Sequence, residues 1–133
     1  MVTVGIPPAT LAFYEDHQHP FPSLVEEQTW EQIVDLFSEH EVTPCAPCPG
    51  GSCKHKFGAA FSPAPPREGK GRGNANVDSV SLLVFDFDHL TGTELEGVAA
   101  RLEGLEAVLY STHSHLRSGP DDNCVRVVFP LVR

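Results

Sequence analysis

Residues 81–88 read SLLVFDFD, and this stretch decides the fold of the second half of the chain. Five of its first seven residues are apolar, which predicts a buried β-strand. Because side chains alternate between the two faces of a strand, Asp86 and Asp88 should share one face, with Cα atoms roughly 6.6 Å apart. Two carboxylates at the end of an apolar strand need a positive partner, and a divalent cation supplies one directly. The stretch therefore predicts a metal site.

The composition is that of a globular protein with many loops. The chain has 133 residues, of which 41% are hydrophobic and 20% charged, and it contains 12 Pro and 11 Gly. This length corresponds to one domain at most. The sequence shows no basic-then-apolar leader and no apolar run of bilayer length, so we expect a soluble, cytoplasmic protein without membrane association.

Charge is distributed unevenly along the chain. The net charge is -9, yet residues 54–72 hold five of the nine basic residues and a single acid, Glu68. The first 44 residues hold eight acids and no Lys or Arg. A local basic strip can follow a phosphate backbone even on an acidic protein, although a solvated loop has the same composition.

The first 44 residues are expected to form an irregular, proline-rich segment with one helix. Four prolines interrupt residues 1–28. A helix is predicted from Thr29 to about His40, where Thr29 and Gln32 have the spacing of a capping box. Its apolar face is expected to be core: Trp30, Ile33, Val34 and Phe37.

Residues 45–75 form a Cys-containing and basic loop region. Cys45, Cys48, Cys53 and His55 lie within eleven residues and match the ligand types of a tetrahedral zinc site. The single residue between Cys53 and His55 is tight for chelation, so free cysteines in a loop are the alternative. A short strand is predicted at residues 59–62. Cys124, in a later predicted strand, is interpreted as a small core residue.

Residues 76–133 are predicted to form a βαββ core. After the SLLVFDFD strand, Thr93 and Glu96 predict a capped helix that ends near Gly104. Strands are predicted at residues 107–110 and 125–129. The first two strands should run parallel in one sheet, and the third should be antiparallel to the second.

Polar residues follow two of these strands. Asp86 and Asp88 end the first, and Ser111, Thr112, His113 and His115 follow the second. Arg126 stands inside the apolar third strand and needs an anion or the aspartate pair as a partner. A metal site beside a guanidinium suits phosphate chemistry. Each feature also has a structural interpretation: a surface carboxylate pair, a strand-capping histidine and a simple ion pair.

Residues 82–88, 108–115 and 126–131 together resemble the catalytic core of the archaeo-eukaryotic primase superfamily. They are most similar to the primase–polymerase domains of phage and plasmid replication proteins. The segment S-T-H-S-H followed by R-V-V-F-P-L is the most specific part. The resemblance covers about residues 56–133 and implies an α+β fold with a βαββ, RRM-like half-core.

The resemblance implies template-directed nucleotidyl transfer on single-stranded DNA. It implies that Asp86 and Asp88 bind the catalytic Mg²⁺ or Mn²⁺. It also implies that a second motif binds the incoming nucleotide, namely Ser111, Thr112, His113, His115 and Arg126, together with Arg72 from the upstream lead-in. Primases also contain zinc modules, which favours zinc at residues 45–55. A replicative helicase is an implied partner.

The family's third carboxylate motif, expected downstream of the third strand, does not occur before Arg133. The chain is therefore expected to be the N-terminal part of a catalytic domain, whose other half is missing or encoded separately. The alternative is a catalytically inactive remnant that binds nucleotide or single-stranded nucleic acid. A haloacid-dehalogenase-like phosphatase also places D-x-D after an apolar strand, but Leu90 stands where that signature has Thr or Val.

Overall fold

The computed structural model describes residues 5–39, 59–113, 115–116 and 118–131. In these residues the chain forms two three-stranded antiparallel sheets and two α-helices, a mixed α+β architecture. A short 3₁₀ turn covers Asn74–Asn76. The proposed zinc ligands Cys45, Cys48, Cys53 and His55 lie outside the described residues, so the zinc expectation stays a prediction.

The first sheet lies in the N-terminal part of the chain and has the order β2-β1-β3. Its strands are β1 (Ala9–Tyr14), β2 (Leu24–Gln28) and β3 (Ala60–Ser62). The short strand predicted at residues 59–62 is thus confirmed, whereas the irregular segment predicted at residues 1–28 is wrong. The four prolines lie before β1 and between β1 and β2, where they bound the strands rather than interrupt them.

The first helix, α1 (Trp30–Ser38), follows β2 directly. Thr29 and Gln32 make the predicted capping box, in which each side chain accepts a hydrogen bond from the backbone of the other. Trp30 and Ile33 are buried, as expected. The indole Nε1 of Trp30 donates to Glu106 at 3.0 Å, which links α1 to the second half of the chain.

The second sheet contains the SLLVFDFD stretch and has the order β4-β6-β5. Its strands are β4 (Leu82–Leu90), β5 (Val108–Ser111) and β6 (Asn123–Pro130). Both β4 and β5 pair antiparallel with β6. The two outer strands therefore run parallel to each other, as predicted, with β6 inserted between them, and β6 rather than β4 is the central strand.

The second helix, α2 (Gly92–Leu102), connects β4 to β5. Its capping box is formed by Thr91 and Glu94, so the predicted box of Thr93 and Glu96 is wrong by two residues. Both pairs have the S/T-x-x-E spacing of a capping box. The earlier pair caps α2 because β4 ends at Leu90, directly before Thr91. Gly104 follows the helix with a φ of +80°, consistent with a helix-ending glycine.

The two sheets and α1 share one hydrophobic core. Ser81 reinforces the junction, because its hydroxyl donates to the carbonyl of Thr10 in β1 at 2.9 Å. The buried residues of this core come from β1, α1, β4 and β6: Ala9, Leu11, Trp30, Ile33, Leu82 and Val128.

Strand β4 is less buried than its sequence predicts. Leu82 is 3% exposed, but Leu83 and Phe85 on the opposite face are 43% and 45% exposed. The difference follows from the position of β4 at the edge of the sheet, while β6 carries the buried residues Val125, Val127 and Val128. An apolar run in the sequence does not distinguish an edge strand from a central one. No helix among the described residues is long and apolar enough to span a membrane.

Candidate functional site

Three polar side chains from three strands form a row across the second sheet. In the strand register Asp86 of β4 lies opposite Arg126 of β6, and Arg126 lies opposite Tyr110 of β5. Arg126 Nε donates to Asp86 Oδ1 at 2.5 Å, and Nη2 donates to Oδ2 at 3.0 Å. The expectation that Arg126 needs an acidic partner in its apolar strand is met by Asp86.

The row is only partly open to solvent. The side chain of Asp86 is 51% exposed and that of Arg126 is 32% exposed. The hydrogen bonds to Asp86 raise the pKa of Arg126 further above its usual value, so this guanidinium is permanently charged. Burial raises the pKa of Tyr110, which keeps its hydroxyl neutral next to Arg126.

Asp88 lies where β4 departs from regular pairing. The register of β4 on β6 shifts between Phe87 and Leu90, and His89 within this shift has a φ of +58°. His89 Nδ1 lies 2.6 Å from Asp122 Oδ1, in the loop before β6. This contact raises the pKa of His89 and lowers the pKa of Asp122, and the charge of Asp88 raises the pKa of His89 further.

The neighbouring Asp121 has a separate structural role. Its Oδ1 accepts a hydrogen bond from the backbone N–H of Gly92, the first residue of α2. A carboxylate at a helix N-terminus satisfies an otherwise unpaired donor and interacts favourably with the helix dipole.

The segment after β5 meets the start of β6. Thr112 bonds to the carbonyl of Cys124 through its backbone N–H at 3.0 Å and its hydroxyl at 3.4 Å. His115 Nδ1 accepts the backbone N–H of Cys124 at 3.2 Å. A neutral imidazole whose Nδ1 accepts carries its proton on Nε2, which makes Nε2 of His115 a donor. His113 is exposed in the turn, and Ser111 ends β5.

Of the residues predicted from the second sheet, the structure brings Asp86 and Arg126 into direct contact. The expectation that Asp86 and Asp88 end their strand is wrong, because β4 continues to Leu90. His115 and Thr112 bond to Cys124, two residues before Arg126. The buried Cys124 is a core residue, as predicted.

Arg72 lies beside the first sheet. Its guanidinium carbon lies 3.8 Å from the ring centroid of Tyr14. Nη1 donates to the carbonyl of His17 at 2.8 Å, and Nη2 donates to the carbonyl of Asp16 at 3.1 Å. These contacts bind Arg72 to the end of β1, where it lines a cavity of about 340 Å³ with Tyr14 and Phe61. Its role in nucleotide binding stays a prediction.

Sequence reasoning did not single out Tyr110, His89 or Asp122 as site residues. Tyr110 enters the row only through the register of β5 on β6, which the sequence does not specify. His89 approaches Asp122 because of the irregularity in β4, whereas a regular strand would continue the alternation of faces. The sequence contains one indication of His89 as a site residue, because it directly follows the D-x-D pair.

The site offers oxygen ligands and one strong anion-binding group. Carboxylates of the Asp86 and Asp88 type suit Mg²⁺ or Mn²⁺, which prefer oxygen ligands. Asp86 is shared with Arg126, so a cation there would lie beside a guanidinium. An anionic ligand such as a phosphate would complement both positive groups.

Comparisons of the chain with protein-family models, with curated proteins and with solved structures found no match.

Proposed function

We propose that this chain forms the nucleotide-binding and cation-binding part of a DNA primase/polymerase-type nucleotidyltransferase of phage or plasmid replication. The observation that supports this most directly is the ion pair of Asp86 and Arg126 across β4 and β6. In this proposal Asp86 is the cation ligand and Arg126 is the phosphate-binding group, and their contact supports the proposal because the two roles need neighbouring side chains. The histidine-containing segment after β5 lies at the same end of the sheet.

Arg126 is the residue expected to bind the triphosphate. Its planar guanidinium can engage two phosphate oxygens, and its backbone lies in the central strand of the sheet. In the unliganded chain Asp86 orients the guanidinium from one side, and the half-buried Tyr110 lies opposite Arg126 in β5 on the other. His115 Nε2 is available as a donor for a phosphate or ribose oxygen, because Nδ1 is occupied by the backbone of Cys124.

Asp86 and Asp88 are the residues expected to hold Mg²⁺ or Mn²⁺. The bound cation would neutralise phosphate charge and align the attacking oxygen. For this to happen, Asp86 must keep one carboxylate oxygen for the cation while Arg126 turns toward the phosphate. The partial exposure of both side chains leaves room for this rearrangement.

Single-stranded nucleic acid is the expected macromolecular partner. In the described part of the basic strip, Lys70 is exposed, while Arg67 donates to the carbonyl of Ala75 at 3.1 Å and Arg72 is bound to the end of β1. Lys70 is therefore the described basic residue of this strip best placed to contact a phosphate backbone.

A second candidate is nucleotide binding without catalysis. The two-point contact between Asp86 and Arg126 favours it, because both carboxylate oxygens already accept hydrogen bonds from the guanidinium. In this case the chain would bind nucleotide or single-stranded nucleic acid through Arg126 and would need no divalent cation at Asp86.

Primer extension with Mn²⁺ and nucleotides separates the two candidates. Wild type is compared with Asp86→Asn, Asp88→Asn and, as a matched control, Asp35→Asn, which changes an exposed acid on α1. The polymerase proposal expects extension that both site variants abolish and the control retains. Circular dichroism of each variant shows whether it is folded.

Nucleotide binding is measured on the same proteins by titration with a fluorescent nucleoside triphosphate. Binding that Arg126→Gln weakens and that neither Mn²⁺ nor Asp86→Asn changes, together with no extension by the wild type, would support the non-catalytic candidate, which needs no divalent cation at Asp86. Extension that Asp86→Asn leaves unchanged contradicts the polymerase proposal. Absence of both binding and extension contradicts both candidates.

A further inference from the structure

Three side chains from separate segments meet where β4 ends and β6 begins. His89 belongs to the irregular end of β4, Asp122 to the preceding loop of β6, and Cys124 to β6 itself. One ligand atom of each lies within 4.8 Å of the other two. We propose that His89, Asp122 and Cys124 bind a borderline divalent metal ion such as Zn²⁺, separate from the Mg²⁺ or Mn²⁺ expected at Asp86 and Asp88.

The chemistry of the three groups selects the kind of ion. A thiolate, an imidazole and a carboxylate are ligands for Zn²⁺ and Co²⁺, whereas Mg²⁺ takes oxygen ligands. The charges also match, since a thiolate and a carboxylate together balance a divalent ion while the imidazole stays neutral. This donor set therefore distinguishes the site from the Asp86 and Asp88 pair.

The geometry needs only a local adjustment. Around zinc with bonds of about 2.0–2.3 Å, tetrahedral ligand atoms are roughly 3.3–3.8 Å apart. The three ligand atoms already lie within 4.8 Å of one another, and His89 Nδ1 is 2.6 Å from Asp122 Oδ1. The ion would replace the proton between these two atoms. The Cys124 thiol would lose its proton to solvent as the sulfur–metal bond forms.

Two features of the protein support a formed site. His89 has a left-handed backbone conformation, with a φ of +58°, which is uncommon for a residue other than glycine. Ser118 donates its backbone N–H to Asp122 Oδ2 at 3.1 Å and so orients the carboxylate from its other oxygen. Both features position side chains beside Cys124.

The site would be open on one side. Cys124 is fully buried, whereas the side chain of His89 is 74% exposed and that of Asp122 is 12% exposed. An ion would therefore have buried sulfur beneath it and solvent on the His89 side, where water can supply a fourth ligand. His115 is not counted as a ligand, because its Nδ1 accepts the N–H of Cys124 and its Nε2 then carries the proton.

Cobalt titration tests this site, because cobalt bound to thiolate gives a sulfur-to-metal charge-transfer absorption. The chain has four cysteines, so the variant Cys45→Ser/Cys48→Ser/Cys53→Ser keeps Cys124 as its sole thiol. In this background, under reducing conditions, we expect one equivalent of Co²⁺ to produce the charge-transfer band. Cys124→Ala added to it should remove the band.

The other two ligands are tested with matched controls in the same background. His89→Gln and Asp122→Asn should each weaken Co²⁺ binding at least about tenfold. His113→Gln, an exposed histidine, and Asp121→Asn, the adjacent carboxylate, should leave the affinity unchanged. A missing charge-transfer band, or equal affinities for His89→Gln and His113→Gln, would overturn the proposal.

If the triple-serine variant does not fold, a second measurement tests the site in the wild-type background. The Zn²⁺ retained by the wild-type chain after desalting is counted by elemental analysis and compared with that of His89→Gln, Asp122→Asn and the two controls. We expect one equivalent fewer in the two site variants alone. Equal zinc content in all five proteins would overturn the proposal. None of these measurements involves nucleotide, so they are independent of the polymerase assay.

Discussion

Arg126 and Asp86 face each other across the central strand and the edge strand of the second sheet, joined by two hydrogen bonds of 2.5 and 3.0 Å. Such two-point pairing fixes the guanidinium in one plane. The contact therefore has two consequences: it stabilises the pairing of β4 with β6, and it competes with any cation for Asp86.

The stabilising effect can be measured with a double-mutant cycle. Asp86→Asn, Arg126→Gln and the double variant should give an interaction free energy of about 0.5–1 kcal/mol, modest because both side chains are partly exposed and screened by solvent. Urea unfolding gives the free energy of each protein. An interaction energy of zero would show that the pair does not stabilise the sheet.

Because Arg126 competes with a cation for Asp86, the variant Arg126→Gln should bind Mn²⁺ more tightly than the wild type. Removing the guanidinium takes away a positive charge and the two hydrogen bonds that it donates to Asp86. Free Mn²⁺ is measured by electron paramagnetic resonance during a titration. Arg101→Gln on α2 is the matched control, and an equal gain in that variant would mean that only the overall charge matters.

Thr91→Ala should destabilise the chain by about 1 kcal/mol, because its hydroxyl accepts the backbone N–H of Glu94 at the start of α2. Thr93→Ala is the matched control. Thr93 lies inside the first turn, where alanine is a better helix former, so this change should cost little. Thermal unfolding followed by circular dichroism compares the two. A larger loss for Thr93→Ala would place the cap two residues later.

The pKa of His89 should lie above 6.5 in metal-free protein, chiefly because of its hydrogen bond to Asp122. Since the folded-state pKa is raised, protonation of His89 contributes stability fully below pH 6.5, and this contribution is lost as the pH rises through the folded-state pKa. NMR titration of the histidine ring protons in the presence of a chelator measures the pKa. Asp122→Asn should lower it, and an unchanged value would contradict the assigned contact.

Leu116→Gly should raise the free energy of unfolding, by about 0.5–1 kcal/mol. Leu116 has a φ of +58° and is 49% exposed, so glycine relieves a strained backbone while little packing is lost. Leu105→Gly, at another exposed leucine without a positive φ, should instead destabilise the chain. Urea unfolding of both variants checks the sign.

The sequence predicts well those features that depend on neighbouring residues. The capping box at Thr29, the short strand that ends at Ser62 and the antiparallel third strand all rest on local patterns, and the structure confirms each. The sequence does not predict the N-terminal strands, because Pro20 and Pro22 favour an irregular segment. Their position between two strands only becomes clear once those strands pair.

The candidate site was predictable to the extent that it depends on charged residues within apolar strands. Asp86 and Arg126 were both identified, and their contact follows from the register of β4 on β6. The exposure of Leu83 and Phe85 and the approach of His89 to Asp122 were not predictable. Both depend on which strand occupies the sheet edge and on where its pairing becomes irregular, and these are properties of the assembled sheet.

The hydrogen bond between Trp30 and Glu106 gives the chain a built-in optical probe. Trp30 is the sole tryptophan and is 7% exposed. Its indole sits on α1, while its partner carboxylate comes from the residues just before β5. The tryptophan fluorescence of this protein therefore reports on the contact between its N-terminal and C-terminal halves. A red shift of this fluorescence would show that the two halves have separated, even if each kept its own strands.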